Sequence, residues 1–180
     1  MGALLGATMI DTEPTSVGAA PVRLFNTPLE CGFRALFVLA ASRPSACDLQ
    51  RLISYDYLLV HSGDVDDAPP SLHPAVPDRG SEWIVKRDLL KSGLALMFAR
   101  ELVNKGLTEE GIVYTGSELT SAFVALLRTS YADALRRRAA WLTATFDAYS
   151  DARLQDYMTA HVGSWGTEFE SLSAIRDIDL

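Results

Sequence analysis

The feature that most restricts this chain is a short helical stretch whose last turns, Tyr57-Leu58-Leu59-Val60, are apolar on every side. From Asp48, a good helix cap, Leu49, Leu52 and Ile53 recur at helical spacing, and the pattern runs through Tyr57-Leu58-Leu59-Val60 to about His61, with Gly63 ending it. A helix with apolar side chains around its whole circumference must be covered on more than one side, so it belongs inside a helical core. With 180 residues, 48% hydrophobic and 22% charged, the chain can bury such a core as one domain with tails.

Other helices flank this one in sequence. Pro28 suits a first helical turn with Asn26 or Thr27 as cap, and Leu29, Phe33, Leu36, Phe37 and Ala40 share a face that ends before Pro44. Between Ser62 and Gly80 lies a long loop with Pro69, Pro70, Pro74 and Pro77, and with Asp64, Asp66, Asp67 and Asp78 against Arg79 alone. A third helix is predicted from Ser81 to Val103, with Trp83, Leu90, Leu94, Met97 and Glu101 on one face. Two β-prone runs, 102–107 and 112–115, joined by a Glu-Glu-Gly turn, predict a hairpin. Three helices followed by a hairpin is the order of a winged helix. A helix over 119–127 capped by Ser117 follows, then a long one from Tyr131 to about His161 with Leu135, Ala139, Leu142, Phe146 and Tyr149 at intervals of three and four. The expected fold is mainly α with a short β-hairpin: a flexible leader (1–21), a winged-helix-like domain (22–128), a C-terminal helical extension (129–162) and an acidic tail (163–180).

Several classes of function receive no support. The two cysteines, Cys31 and Cys47, have the spacing of neither a redox pair nor a zinc half-site, and are expected to be reduced core residues. The apolar opening Met1 to Ile10 has no basic residue before Arg23, Gly6 stands where a myristoylation signal needs Ser or Thr, and the run Ala35 to Ala41 is too short to cross a bilayer. No membrane anchor is expected. Phosphate loops, nucleophile elbows, paired-histidine helix motifs and EF-hand loops are all absent from the sequence. No cofactor is expected.

Two constellations remain for chemistry. His61, Asp64 and His73 around the acidic loop have the side chains to ligate zinc, but the intervening prolines supply no helical spacing that would make them converge, and hydrogen bonds that tether the loop are the favoured account. Asp56, between Tyr55 and Tyr57, reads either as a buried, shifted carboxylate or as a polar anchor; the anchor is favoured, because only Arg51 and His61 stand near it, at loose spacing.

Charge argues against direct reading of DNA. The net charge is -7. In the third helix Lys86, Arg87, Lys91 and Arg100 are nearly cancelled by Glu82, Asp88 and Glu101, and the wing carries Glu109 and Glu110 against Lys105. One basic cluster, Arg136, Arg137 and Arg138 with nearby Arg128, can contact nucleic acid or an acidic partner, or form a solvated helix face.

Taken together, Leu24 to Glu30 (LFNTPLE), Leu49 to Gly63 (LQRLISYDYLLVHSG), Ser71 to Pro74 and Arg79 to Arg87 (RGSEWIVKR) resemble the middle component of prokaryotic ABC-three-component systems, of the second type. The small subunit of Lamassu-type anti-phage defence is similar to that family. The resemblance covers about Val22 to Phe146, and its most specific element is the string from Tyr55 to Asp64. It implies a non-catalytic cytoplasmic helper that braces an SMC-like or Rad50-like ABC ATPase and restrains or positions a separate effector, often a nuclease, with DNA met only through the complex. Phe25, Asn26, Tyr55, Asp56, His61, Asp64, His73, Arg79 and Trp83 are the expected partner-binding residues. A winged-helix DNA-binding regulator and a small metal-dependent hydrolase are the alternative readings.

Overall fold

The computed structural model describes residues 27–74 and 79–161, with backbone alone for 79–85 and 161. In chain order the elements are α1 (Pro28–Ser42), β1 (Cys47–Asp48), α2 (Leu49–Val60), a 3-10 turn (Ser62–Asp64), α3 (Arg79–Phe98), β2 (Val103–Thr108), β3 (Gly111–Gly116), α4 (Glu118–Leu126), α5 (Ser130–Phe146) and α6 (Asp151–His161). The described residues are thus mainly helical with one small antiparallel sheet.

Helix starts follow local chemistry. Thr27 caps α1, its Oγ1 accepting from Glu30 N at 3.2 Å, with Pro28 in the first turn. Asp48 caps α2 through Arg51 N at 2.6 Å, and Ser117 caps α4 through Leu119 N at 3.2 Å. Every residue of α2 from Leu52 to Val60 is buried, the polar Ser54 and Asp56 included. Around it pack α1, α3, α5 and α6, and a single apolar core runs through these helices and the sheet.

The pairing of α1 with α3 depends on two glycines. A Cβ on Gly93 would lie 2.3 Å from the Pro28 carbonyl oxygen and 2.6 Å from Gly32 N. The two backbones therefore approach more closely there than any side chain permits.

Three expectations need correction. The third helix ends at Phe98 and not at Val103, because Glu101 adopts a left-handed conformation (φ 60). Leu102 N then bonds to the Met97 carbonyl at 3.0 Å and Glu101 N to that of Phe98 at 2.9 Å, closing the helix in a Schellman turn whose two apolar members, Met97 and Leu102, are buried. The chain was expected to carry a hairpin only, but β1 adds a third strand, giving the order β1-β3-β2 with Cys47 opposite Tyr114 and Asp48 opposite Val113. A strand of two residues leaves no period in the sequence to read.

The long C-terminal helix is two helices. After Phe146 the chain turns, Ser150 Oγ caps α6 by accepting from Arg153 N at 3.2 Å, and α6 folds back onto α2. The turn lets Leu154 and Met158 enter the core, where both are buried, and brings the rings of Phe146, Tyr149 and Tyr157 together. A straight helix would leave those side chains in water.

Candidate partner-binding site

Helix α2 and the loop after it carry most of the expected site, and α1 supplies its centre. Arg34, within the apolar pattern of α1, reaches Asp56 with two parallel bonds: Nε donates to Oδ1 at 2.5 Å and Nη2 to Oδ2 at 3.0 Å. Glu30, one turn earlier, lies 3.2 Å from Nη1, and Nη2 also donates to Cys31 Sγ at 3.3 Å. Burial pushes the Asp56 carboxyl up, but the charge and hydrogen bonds of Arg34 outweigh it and hold the group below the usual carboxylate range. Asp56 is a fixed anion.

From this pair the network runs outward to the loop. Lys86 of α3, only 6% exposed, sets its ammonium 5.4 Å from the centre of the Tyr57 ring. The Tyr57 hydroxyl donates to Asp64 in the 3-10 turn. His61 lies over Tyr57 and edge-on to His73, with ring centres 4.9 and 6.1 Å apart. His73 in turn stacks on Tyr131 of α5, and Nε2 is hydrogen-bonded to the Tyr131 hydroxyl at 2.8 Å. Burial, then Arg34, pushes the His73 imidazole below its ordinary pKa.

The loop is held on the end of α2. Leu72 N and His73 N both donate to the Val60 carbonyl, at 2.8 and 3.0 Å, satisfying an acceptor that the end of a helix leaves open. Gly63 N donates to Ser71 Oγ at 3.0 Å, and the Pro70 carbonyl accepts from Ser62 Oγ and from Arg138. What this surface offers outward is Gly63, Asp66, Asp67, Pro70, Ser71, Pro74 and Tyr131.

The expected site residues therefore separate. Asp56, His61, Asp64 and His73 come together, with Asp56 and His61 shaping the surface from beneath, since both are buried. Tyr55 faces a different centre: its hydroxyl accepts from Arg51 Nη1 at 2.9 Å and donates to Asp147 at 3.2 Å. Arg51 also holds the Tyr149 carbonyl at 2.5 Å and Asp151 at 2.6 Å, which ties the α5–α6 turn to α2. Phe25 and Asn26 lie outside the described residues, and Arg79 and Trp83 are placed by backbone only, in α3.

The three consecutive arginines of α5 do different work. Arg136 bonds to Asp133 at 2.5 Å and, through Nη2, to the Val124 and Leu127 carbonyls at 3.1 and 3.0 Å, capping the end of α4. Arg138 serves the Pro70 carbonyl, and Arg137 is exposed. Successive helix positions diverge by about 100°, so the three do not form one patch.

Arg34, Glu30, Lys86 and Tyr131 were missed as site residues. The usable signal was Arg34 itself, a cation between Phe33 and Ala35 with Glu30 four residues earlier. Chemically the arrangement is an anchor, with each ionised group turned to a protein partner. Among the described residues no group of three or more His, Cys, Asp or Glu side chains is placed to hold a metal ion. No described helix is long and apolar enough to cross a membrane.

The family model for the ABC-three component (ABC-3C) system Middle Component 2 matches residues 24–168, a span that contains all the elements described above. No curated protein and no solved structure matches the chain. The chain accordingly belongs to the Middle Component 2 family of ABC-three-component systems.

Proposed function

We propose that this chain is a non-catalytic accessory subunit of an SMC-like or Rad50-like ABC ATPase complex, acting in the cytoplasm in prokaryotic defence against phages or plasmids. On this reading it braces the ATPase and restrains or positions a separate effector nuclease, in a system similar to Lamassu-type anti-phage defence. Family membership supports the accessory role. The observation that carries the surface is the Arg34–Asp56 network with its Tyr57–Asp64 and His73–Tyr131 bonds, which spends buried charges on fixing the loop 62–74 against α2.

The partner surface on this reading is the outer side of that loop with Tyr131, supported from below by Asp56, His61, Asp64 and His73; Phe25, Asn26, Arg79 and Trp83 are proposed as further partner contacts. A winged-helix-like core suits such a role. The element order α1-β1-α2-α3-β2-β3 and the strand order β1-β3-β2 support that description. A DNA-reading regulator fits less well, because Arg136 and Arg138 are engaged with backbone carbonyls and the wing turn is Glu109-Glu110.

The test is co-expression of the full chain with the ATPase component of its own system. A stable complex is expected, with nucleotide turnover belonging to the ATPase alone. Failure of the two to co-purify overturns the reading.

A further inference from the structure

Strands β2 and β3 alternate in step. Lys105 stands opposite Tyr114 and Leu107 opposite Ile112, so Val103, Lys105, Leu107, Ile112 and Tyr114 share one face of the hairpin. At the base that face is covered, with Val103 1% and Tyr114 7% exposed. At the tip it is bare: Leu107 is 83% and Ile112 45% exposed. The apolar face of the sheet thus continues beyond the core, with two side chains set directly across from each other in water.

At the turn beyond this pair the charges are acidic, two carboxylates against Lys105. Glu109 and Glu110 make the turn; Glu110 also reaches an open cleft of about 680 Å³ on the opposite face of the sheet, lined by Val113, Asp48, Asp147 and Asp151. The guanidinium of Arg51, in the same cleft, is bonded to Asp151, Tyr55 and the Tyr149 carbonyl. Lys105 is the single cation of the hairpin.

We infer that the hairpin tip is a second docking surface, distinct from the loop, and that it takes an apolar protein segment rimmed with Lys or Arg from another component of the system. Leu107 and Ile112 supply the contact area, while the carboxylates select the partner's charge. Nucleic acid is repelled by the same carboxylates. A second copy of this chain would bring the same acidic turn, two carboxylates against one Lys105, to the contact. The inference rests on the accessory-subunit reading and adds to it a contact that the loop surface does not make.

The full chain is co-expressed with the other components of its system, carrying photoreactive benzoylphenylalanine in place of Leu107 or, as a control, in place of exposed Ala144 on α5. Light is expected to join position 107, and not position 144, to another component. Leu107→Ser with Ile112→Ser is expected to weaken the complex about tenfold or more. Glu109→Lys with Glu110→Lys is expected to weaken it most at low salt. Both variants should melt with the wild type, since these side chains face solvent. A complex that forms with wild-type affinity in both variants, without a crosslink at 107, overturns this inference and leaves the accessory role standing. No complex at all overturns both. A crosslink at 107 to a second copy, or to added duplex DNA, overturns the assigned occupant.

Discussion

Arg34 and Asp56, 22 residues apart in sequence, form a bidentate ion pair between α1 and α2 with side chains 1% and 5% exposed. Burying two charges is unfavourable, and the fork geometry, Glu30 and the Cys31 sulfur together offset that penalty. The pair also stands at the root of the loop surface, because α2 continues from Asp56 directly into Tyr57, whose hydroxyl holds Asp64.

Removing either partner alone leaves the other charge buried and uncompensated. Asp56→Ala or Arg34→Ala is expected to cost about 3–5 kcal/mol in urea unfolding. The double variant Arg34→Met with Asp56→Leu should recover most of that loss. Equal destabilisation by the single and double variants would refute the coupling.

Acid should loosen the loop before it unfolds the core. His73 is neutral in the fold, with its pKa held below the ordinary 6.5 by burial and then by Arg34, so the unfolded chain binds the proton first. Its contribution is complete above pH 6.5 and is lost as pH falls through the lower folded value. Asp56 follows the same sign in the carboxylate range, since its folded pKa is also lowered. The melting temperature should fall between pH 7 and 5.5 in the wild type and fall less in His73→Asn; parallel slopes would dismiss the role of His73.

Arg51, steadied within α2 by Tyr55, holds α6 through two acceptors, the Tyr149 carbonyl and Asp151. Arg51→Met is expected to cost about 2–3 kcal/mol and to speed amide exchange in α6 more than in α1. Arg51→Lys should not restore protection, because one ammonium cannot span the fork. Uniform exchange across α1 and α6 would show that the tie is not local.

Gly93→Ala tests the contact of α1 with α3. Intrinsic helix preference alone would favour the alanine by about 1 kcal/mol. The new Cβ would meet the Pro28 carbonyl and Gly32 N inside van der Waals distance, so a net loss of about 2–3 kcal/mol is expected. Gly106→Ala is the control, since its Cβ meets only Val113 Cγ2 at 3.4 Å. A stabilised Gly93→Ala would mean that the helices can separate freely.

Much of the fold was legible because its signals are local. The caps at Thr27, Asp48 and Ser117 and the Glu-Glu-Gly turn stand next to the elements they start or join. The ends of α3 and α5 were not legible. Glu101 occupies a left-handed position where glycine is the usual residue, and the apolar spacing of α5 runs on through Tyr149 without a break. Ser150-Asp151 was a cap signal inside that run, and the run masked it.

By itself the sequence determined a central helix whose last turns are apolar on all sides, the order of helices and hairpin, and a string from Tyr55 to Asp64 too specific for a generic helix. Each of these depends on neighbours within a few residues. Only the tertiary structure decided that Asp56 meets Arg34, that Arg136 and Arg138 bond to backbone carbonyls, and that the tip of the hairpin leaves Leu107 and Ile112 exposed. Those outcomes depend on which distant backbones pack within reach of one another, here through the glycine contact of α1 with α3 and the return of α6 onto α2.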